Sequence, residues 1–230
     1  MGASEAHGGR SGFYAAMAAL ALGAALAGSA AIFLTGQTSA LREPFAAYGA
    51  LAAVWCALLF WMTREQRVRR RADIGFAAAA FAVVMAYALP RCGVATVAAA
   101  QGAVSPFLSI VVATFLFLAC AAAALFNQDR GDAYARFMLL AGAALVWPLA
   151  MRLSLDLLDG FGFAARLAPF AADLAVLAAI IRDGMVLKPV HPVYGRMGLI
   201  VVALHALEAA AYDSTPWRAA ASAVYSVFTG

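Results

Sequence analysis

Residues 106–126 read PFLSIVVATFLFLACAAAALF, without one charged side chain. At about 1.5 Å of rise per residue, about 20 such positions form a helix that crosses about 30 Å of hydrocarbon. The run shows no period-two alternation. Backbone groups in lipid must be satisfied within the segment, so it reads as a helix and not as a barrel strand. Six further apolar segments have the same pattern: 13–34, 45–63, 74–90, 137–155, 163–181 and 197–213. The expectation is an all-α polytopic membrane protein, a seven-transmembrane-helix bundle in a single domain over residues 1–230.

Composition supports that class. Hydrophobic residues make up 65% of the chain and charged residues 12%, against roughly 25% charged in an ordinary soluble domain. No polar stretch is long enough to fold by itself. The net charge of +4 does not point to nucleic acid, because the basic residues fall in short loops between apolar runs, where they act as topology signals. Membrane lipids are the expected partners, with a protein partner or a second copy of the chain as the further option.

Those loops set the orientation. One side collects Arg10, Arg64, Arg67, Arg69, Arg70, Arg71, Arg130, Arg136, Arg182, Lys188 and Arg196, and the other has Arg42, Arg91 and Arg218. The excess predicts the N-terminus in and the C-terminus out. Tyr14, Trp61, Tyr134 and Tyr194 then fall near the inner interface, and Tyr48, Tyr87, Tyr212 and Trp217 near the outer one. The first segment also has features of a signal peptide, with Arg10 before an apolar run and Ala27, Gly28, Ser29 and Ala30 near its end. Its apolar run exceeds an ordinary h-region, which favours a retained helix.

After the seventh span, Ser214 or Thr215 can cap a helix that starts at Pro216. Trp217, Ala221, Val224, Tyr225 and Phe228 share one face of it, which predicts a short amphipathic C-terminal helix over about 216–228, lying on the outer surface. Residues 91–105 are too polar and glycine-broken to span. The loop 187–194 carries Pro189 and Pro192 and reads as a stiff connector.

The chain is lopsided. Its first four spans contain only small polar residues such as Ser29, Cys56, Ser109 and Thr114, and read as scaffold packed through glycines such as Gly23 and Gly28. The last three carry ionisable residues in helical stripes, and a charge within a span usually faces protein and often marks function. Two groups result. An outer cluster comprises Arg152, Asp156, Asp159 and Arg166. A polar midplane cluster comprises Asp173, His205 and Glu208. Helix kinks are expected at Pro148 and Pro169, each four residues before a charge.

The outer cluster reads as an ion-pair clamp or as an entry point for an anion or polar solute. For the midplane cluster three readings stand: a mutually satisfied network that fixes helix register, a relay for protons or ions, and a metal site of one histidine and two carboxylates.

Cofactor chemistry is constrained by residue counts. His205 is the one histidine inside a span, which disfavours a bis-histidine haem, and the single lysine, Lys188, sits in a loop, which disfavours retinal. No cofactor is predicted, with haem or a metal as the remaining option. Cys56, Cys92 and Cys120 lie in separate elements without C-x-x-C spacing. No P-loop, G-x-S-x-G or H-E-x-x-H is present, so an enzyme is not the leading reading.

The stretch from Asp173 to Trp217, with Asp183, His191-Pro192 and Thr215-Pro216-Trp217, resembles a family of small, uncharacterised multi-pass proteins of bacterial inner membranes. Residues 134–140, YARFMLL, resemble a second piece of it, with Tyr134, and likewise Tyr48, standing where that family shows histidine. The resemblance implies a bacterial inner-membrane location and brings no activity with it. The leading function is a non-enzymatic accessory, assembly or sensory subunit. The alternative is a transporter or channel for protons or a small polar solute, and the third reading is a haem or metal protein.

Overall fold

The computed structural model describes residues 3–34, 39–64, 104–157, 170–186, 189–212 and 214–229. Among these residues the α-helices are α1 (Ala3–Leu34), α2 (Ser39–Arg64), α3 (Val104–Phe126), α4 (Gly131–Leu157), α5 (Ala171–Val186), α6 (Leu199–Ala211) and α7 (Thr215–Thr229). A π-helical turn, Tyr194–Gly198, leads into α6. Among the described residues there is no strand. Among the described residues, four helices are long and apolar enough to cross a membrane, over Gly12–Ala30, Ser105–Phe126, Asp132–Met151 and Tyr194–Ala211. The apolar part of α2, Tyr48–Phe60, is shorter.

Several boundaries differ from the sequence expectation. The fifth expected span begins at Gly131, not 137, because Asp132 complements the positive end of the helix dipole and Arg136 finds a partner inside the protein. The sixth continues to Val186. Helical structure of the seventh begins at residue 192. The third expected span, 74–90, with the first part of the sixth, 163–169, lies outside the described residues.

Helix α4 is the axis of the molecule, packed against α1, α2, α3, α5, the π-helical turn and α6. Its apolar residues are spread around the whole circumference, so no single face of it favours exposure. Met138, Leu139, Leu140, Leu145, Trp147 and Leu149 are all fully buried. A short turn at residues 127–130 joins α3 to α4 as an antiparallel pair, with Asn127 Nδ2 donating to the Ala123 carbonyl at 2.8 Å.

Small residues bring α1 close to this axis. Ala18, Ala21, Ala25 and Gly28 recur at spacings of three and four and form one buried stripe. At Gly28 an added Cβ would lie 2.8 Å from Leu149 Cβ, so the two backbones approach too closely for a side chain. Gly49 of α2 makes room for the Ser29 side chain of α1. Gly23, expected to be a packing position, has open space around it. Trp55 of α2 meets Phe117 of α3 edge to face, with centroids 4.7 Å apart.

Helix α7 begins where expected, with Ser214 Oγ accepting the Trp217 N–H at 3.4 Å. It packs along the start of α3: Trp217 Nε1 donates to the Ser105 carbonyl at 3.4 Å and Tyr225 meets Phe107 edge to face. The expected aromatic belt is partly overturned, because Tyr48, Tyr134 and Tyr194 are buried in the protein core. The close approach at Gly28 has a direct test. Gly28→Val is expected to destabilise the protein by about 1–3 kcal/mol through overpacking, whereas Gly23→Val stays within about 0.5 kcal/mol, both read by thermal unfolding in detergent.

Candidate functional site

Two buried polar groups cross the bundle at different levels. The first brings four helices together. His205 Nδ1 of α6 lies 2.7 Å from Asp173 Oδ1 of α5, and both side chains are shielded from solvent. The indole of Trp147, from α4, stacks on the His205 imidazole with centroids 4.1 Å apart and planes within 5° of parallel. One turn further along α6, Glu208 accepts a hydrogen bond from Ser109 Oγ of α3. The Trp147 indole nitrogen is turned toward Glu208 without closing a hydrogen bond on it.

The sequence explains this convergence. His205 and Glu208 are three residues apart and share one face of α6. Asp173 sits in the first turn of α5, where the helix dipole favours a carboxylate. Trp147 immediately precedes Pro148, which interrupts the α4 ladder without ending the helix. On the turn before it, the Leu145 carbonyl accepts a hydrogen bond from Tyr48 of α2 at 2.8 Å. Tyr48 also lies near Glu208.

The network is incompletely paired. Among the described residues, His205 Nε2, Asp173 Oδ2 and Trp147 Nε1 are buried without a hydrogen-bond partner. Buried polar atoms of this kind are few in folded proteins, and their position is informative. With Nδ1 donating to Asp173, the neutral imidazole leaves Nε2 as a bare acceptor.

The second level is an ion pair. Arg136 of α4 forms a two-pronged bridge to Asp183 of α5, Nε to Oδ2 at 3.0 Å and Nη2 to Oδ1 at 3.2 Å. Its Nη1 donates to the Asp132 carbonyl at 2.6 Å. The guanidinium also lies over the Tyr194 ring, 5.5 Å from the centroid. Beside it, Arg182 stacks on Phe13 of α1 at 4.6 Å. Arg136 and Asp183 are both buried, in contrast to the sequence reading of Arg136 as a free loop charge.

The two levels are in register. Arg136 to Trp147 and Tyr194 to His205 are each eleven residues, and Asp173 to Asp183 is ten, or about 15–16 Å along the helices. The near-equal offsets on three neighbouring helices place one polar group at each end of the α4–α5–α6 contact.

Of the residues singled out in the sequence, Asp173 and His205 meet directly, and Glu208 turns instead to Ser109. The three share no common ligand point, since among the described residues no group of three His, Cys, Asp or Glu is placed to hold a metal ion. Arg152 and Asp156 lie in α4, but their side chains fall outside the described residues, as do Asp159, Arg166 and Pro169. Sequence reasoning missed Ser109, taken as scaffold, and Trp147. It also missed the pairing of Arg136 with Asp183. Cys56 and Cys120 are buried and unbridged.

Comparison with protein-family models, curated proteins and solved structures finds no match to the chain. Among the described residues the fold is that of an all-helical protein with four helices long and apolar enough to span a membrane.

Two outcomes test the second level. Asp183→Asn is expected to destabilise the protein by about 3–5 kcal/mol, because it leaves the Arg136 charge buried and unpaired, while the double change Arg136→Met with Asp183→Leu recovers most of the loss. Thermal unfolding of the three variants checks this. The connecting loop gives the second outcome. His191 Nδ1 accepts the Val193 N–H at 3.2 Å, and burial, then the nearby Arg136 charge, push its pKa below the usual value. Since the fold favours the neutral ring, its contribution to stability is full above about pH 6.5 and falls as pH drops through that value. A histidine NMR titration should show the His191 midpoint below that of an unfolded peptide.

Proposed function

We propose that the protein is a multi-pass component of a bacterial inner membrane. Seven spans run with the N-terminus in and the C-terminus out, and the protein serves as a non-enzymatic accessory, assembly or sensory subunit. The observation that carries this reading is the buried network of Ser109, Trp147, Asp173, His205 and Glu208. Each hydrogen bond and the ring stack in it join two different helices, so the network fixes how α3, α4, α5 and α6 sit against one another. In apolar surroundings such polar contacts act as interhelical glue. The charge asymmetry of the loops supports the orientation. Exposed apolar side chains such as Leu174, Ile181, Met185 and Leu207 support a lipid-facing surface on α5 and α6.

The unpaired His205 Nε2 and Asp173 Oδ2 favour a second reading, transport of protons or a small polar solute past this cluster. One experiment separates the two. Purified protein in liposomes holding a pH-sensitive dye is expected to show no flux beyond that of empty liposomes, and to co-purify from membranes with a stoichiometric partner. Flux that disappears in Asp173→Asn would establish the transport reading instead.

A further inference from the structure

We propose that Asp173, His205 and Glu208 form a proton-binding site, in which a proton on the His205 imidazole and another on the Glu208 carboxyl offset the charge of two buried carboxyl groups. The argument is one of charge balance. With Asp173 and Glu208 both ionised and His205 neutral, the cluster would hold two negative charges in an apolar helix bundle. Among the described residues, neither an arginine nor a lysine bonds to any of the three. The one described buried ion pair that uses an arginine, Arg136 with Asp183, lies about three helical turns away on α4. Burying two uncompensated charges is strongly unfavourable, and in practice such groups take up protons instead.

The geometry assigns where each proton sits. Asp173 touches His205 at 2.7 Å, so an imidazolium there gains a direct counter-ion. The Trp147 face, 4.1 Å away and parallel, adds a cation–π contact that a neutral ring would lack. The bare Nε2 is the atom that receives the proton. Among the described residues Glu208 has no directly bonded counter-ion, and the His205 ring, one turn away on the same helix face, is already paired with Asp173. The bonded partner of Glu208 is the Ser109 hydroxyl, which can accept from a carboxylic acid as readily as it donates to a carboxylate. Among the described residues, the groups facing the cluster are Ser109 from α3, Trp147 from α4, Tyr48 from α2 and Asp173 from α5. None of these brings a fixed positive charge.

Proton binding goes beyond the tying of helices and rests only on the same network. Wild-type protein in lipid nanodiscs is examined by infrared spectroscopy at neutral pH. A protonated-carboxyl band is expected, shifted by isotopic labelling of glutamate, lost in Glu208→Gln and retained in Asp173→Asn. Isotope labelling of the wild type keeps the test valid where a variant fails to fold. In parallel, nitrogen NMR of labelled histidine should show one imidazolium at neutral pH, assigned to His205 by its loss in His205→Gln. An infrared spectrum without a protonated glutamate, or a neutral His205, would overturn the inference. Neither result depends on a co-purifying partner, so failure of the subunit reading leaves this test intact, and the converse holds.

Discussion

A polar side chain buried in an apolar helix bundle has to find its partner within the protein, since neither water nor lipid will supply one. Most of the architecture around α4 follows from that constraint. Arg136 at one end of the helix is matched by Asp183, and the stacked pair of Trp147 and His205 at the other end is matched by Asp173. Because the offsets between the two levels agree on α4, α5 and the π-turn–α6 segment, the axial register of three helices is determined twice. A slip of one turn, about 5.4 Å, would break both levels at once.

Packing elsewhere is of a different kind. Helices α1 and α2 meet α4 through small side chains and close backbone approach, as at Gly28 against Leu149, and contribute mainly dispersion contact. They bring few polar groups, although Tyr48 reaches the Leu145 carbonyl beside the proline of α4. The π-helical turn at Tyr194–Gly198 sits between a proline loop and α6. Its extra residue per turn changes the angular offset between Tyr194, which faces the Arg136 level, and His205, which faces the Asp173 level.

Some of this was readable from the chain. Asp173, His205 and Glu208 stand out because ionisable residues are rare in apolar segments, and helical periodicity places the last two on one face. In the structure Asp173 and His205 meet directly. Ser109 did not stand out, because a serine in a long apolar run gives no signal until a neighbour's acid is placed beside it. Arg136 counted only as one of the basic residues that set the orientation, and Asp183 was given no partner. Their burial depends on the helix starting earlier than hydropathy suggests, which in turn depends on the pair forming.

Sequence by itself determined the all-helical class, the positions of the apolar segments and the concentration of ionisable residues in the last third of the chain. These are set by composition and by period, which act locally. Tertiary structure alone decided that α4 is the central helix, that Glu208 bonds to Ser109, and that Arg136 is buried. Each of those depends on which face of one helix meets which face of another. Segments apolar on every side contain little information about that choice, so it is made by the few polar groups that must be paired and by the glycines that let backbones come close.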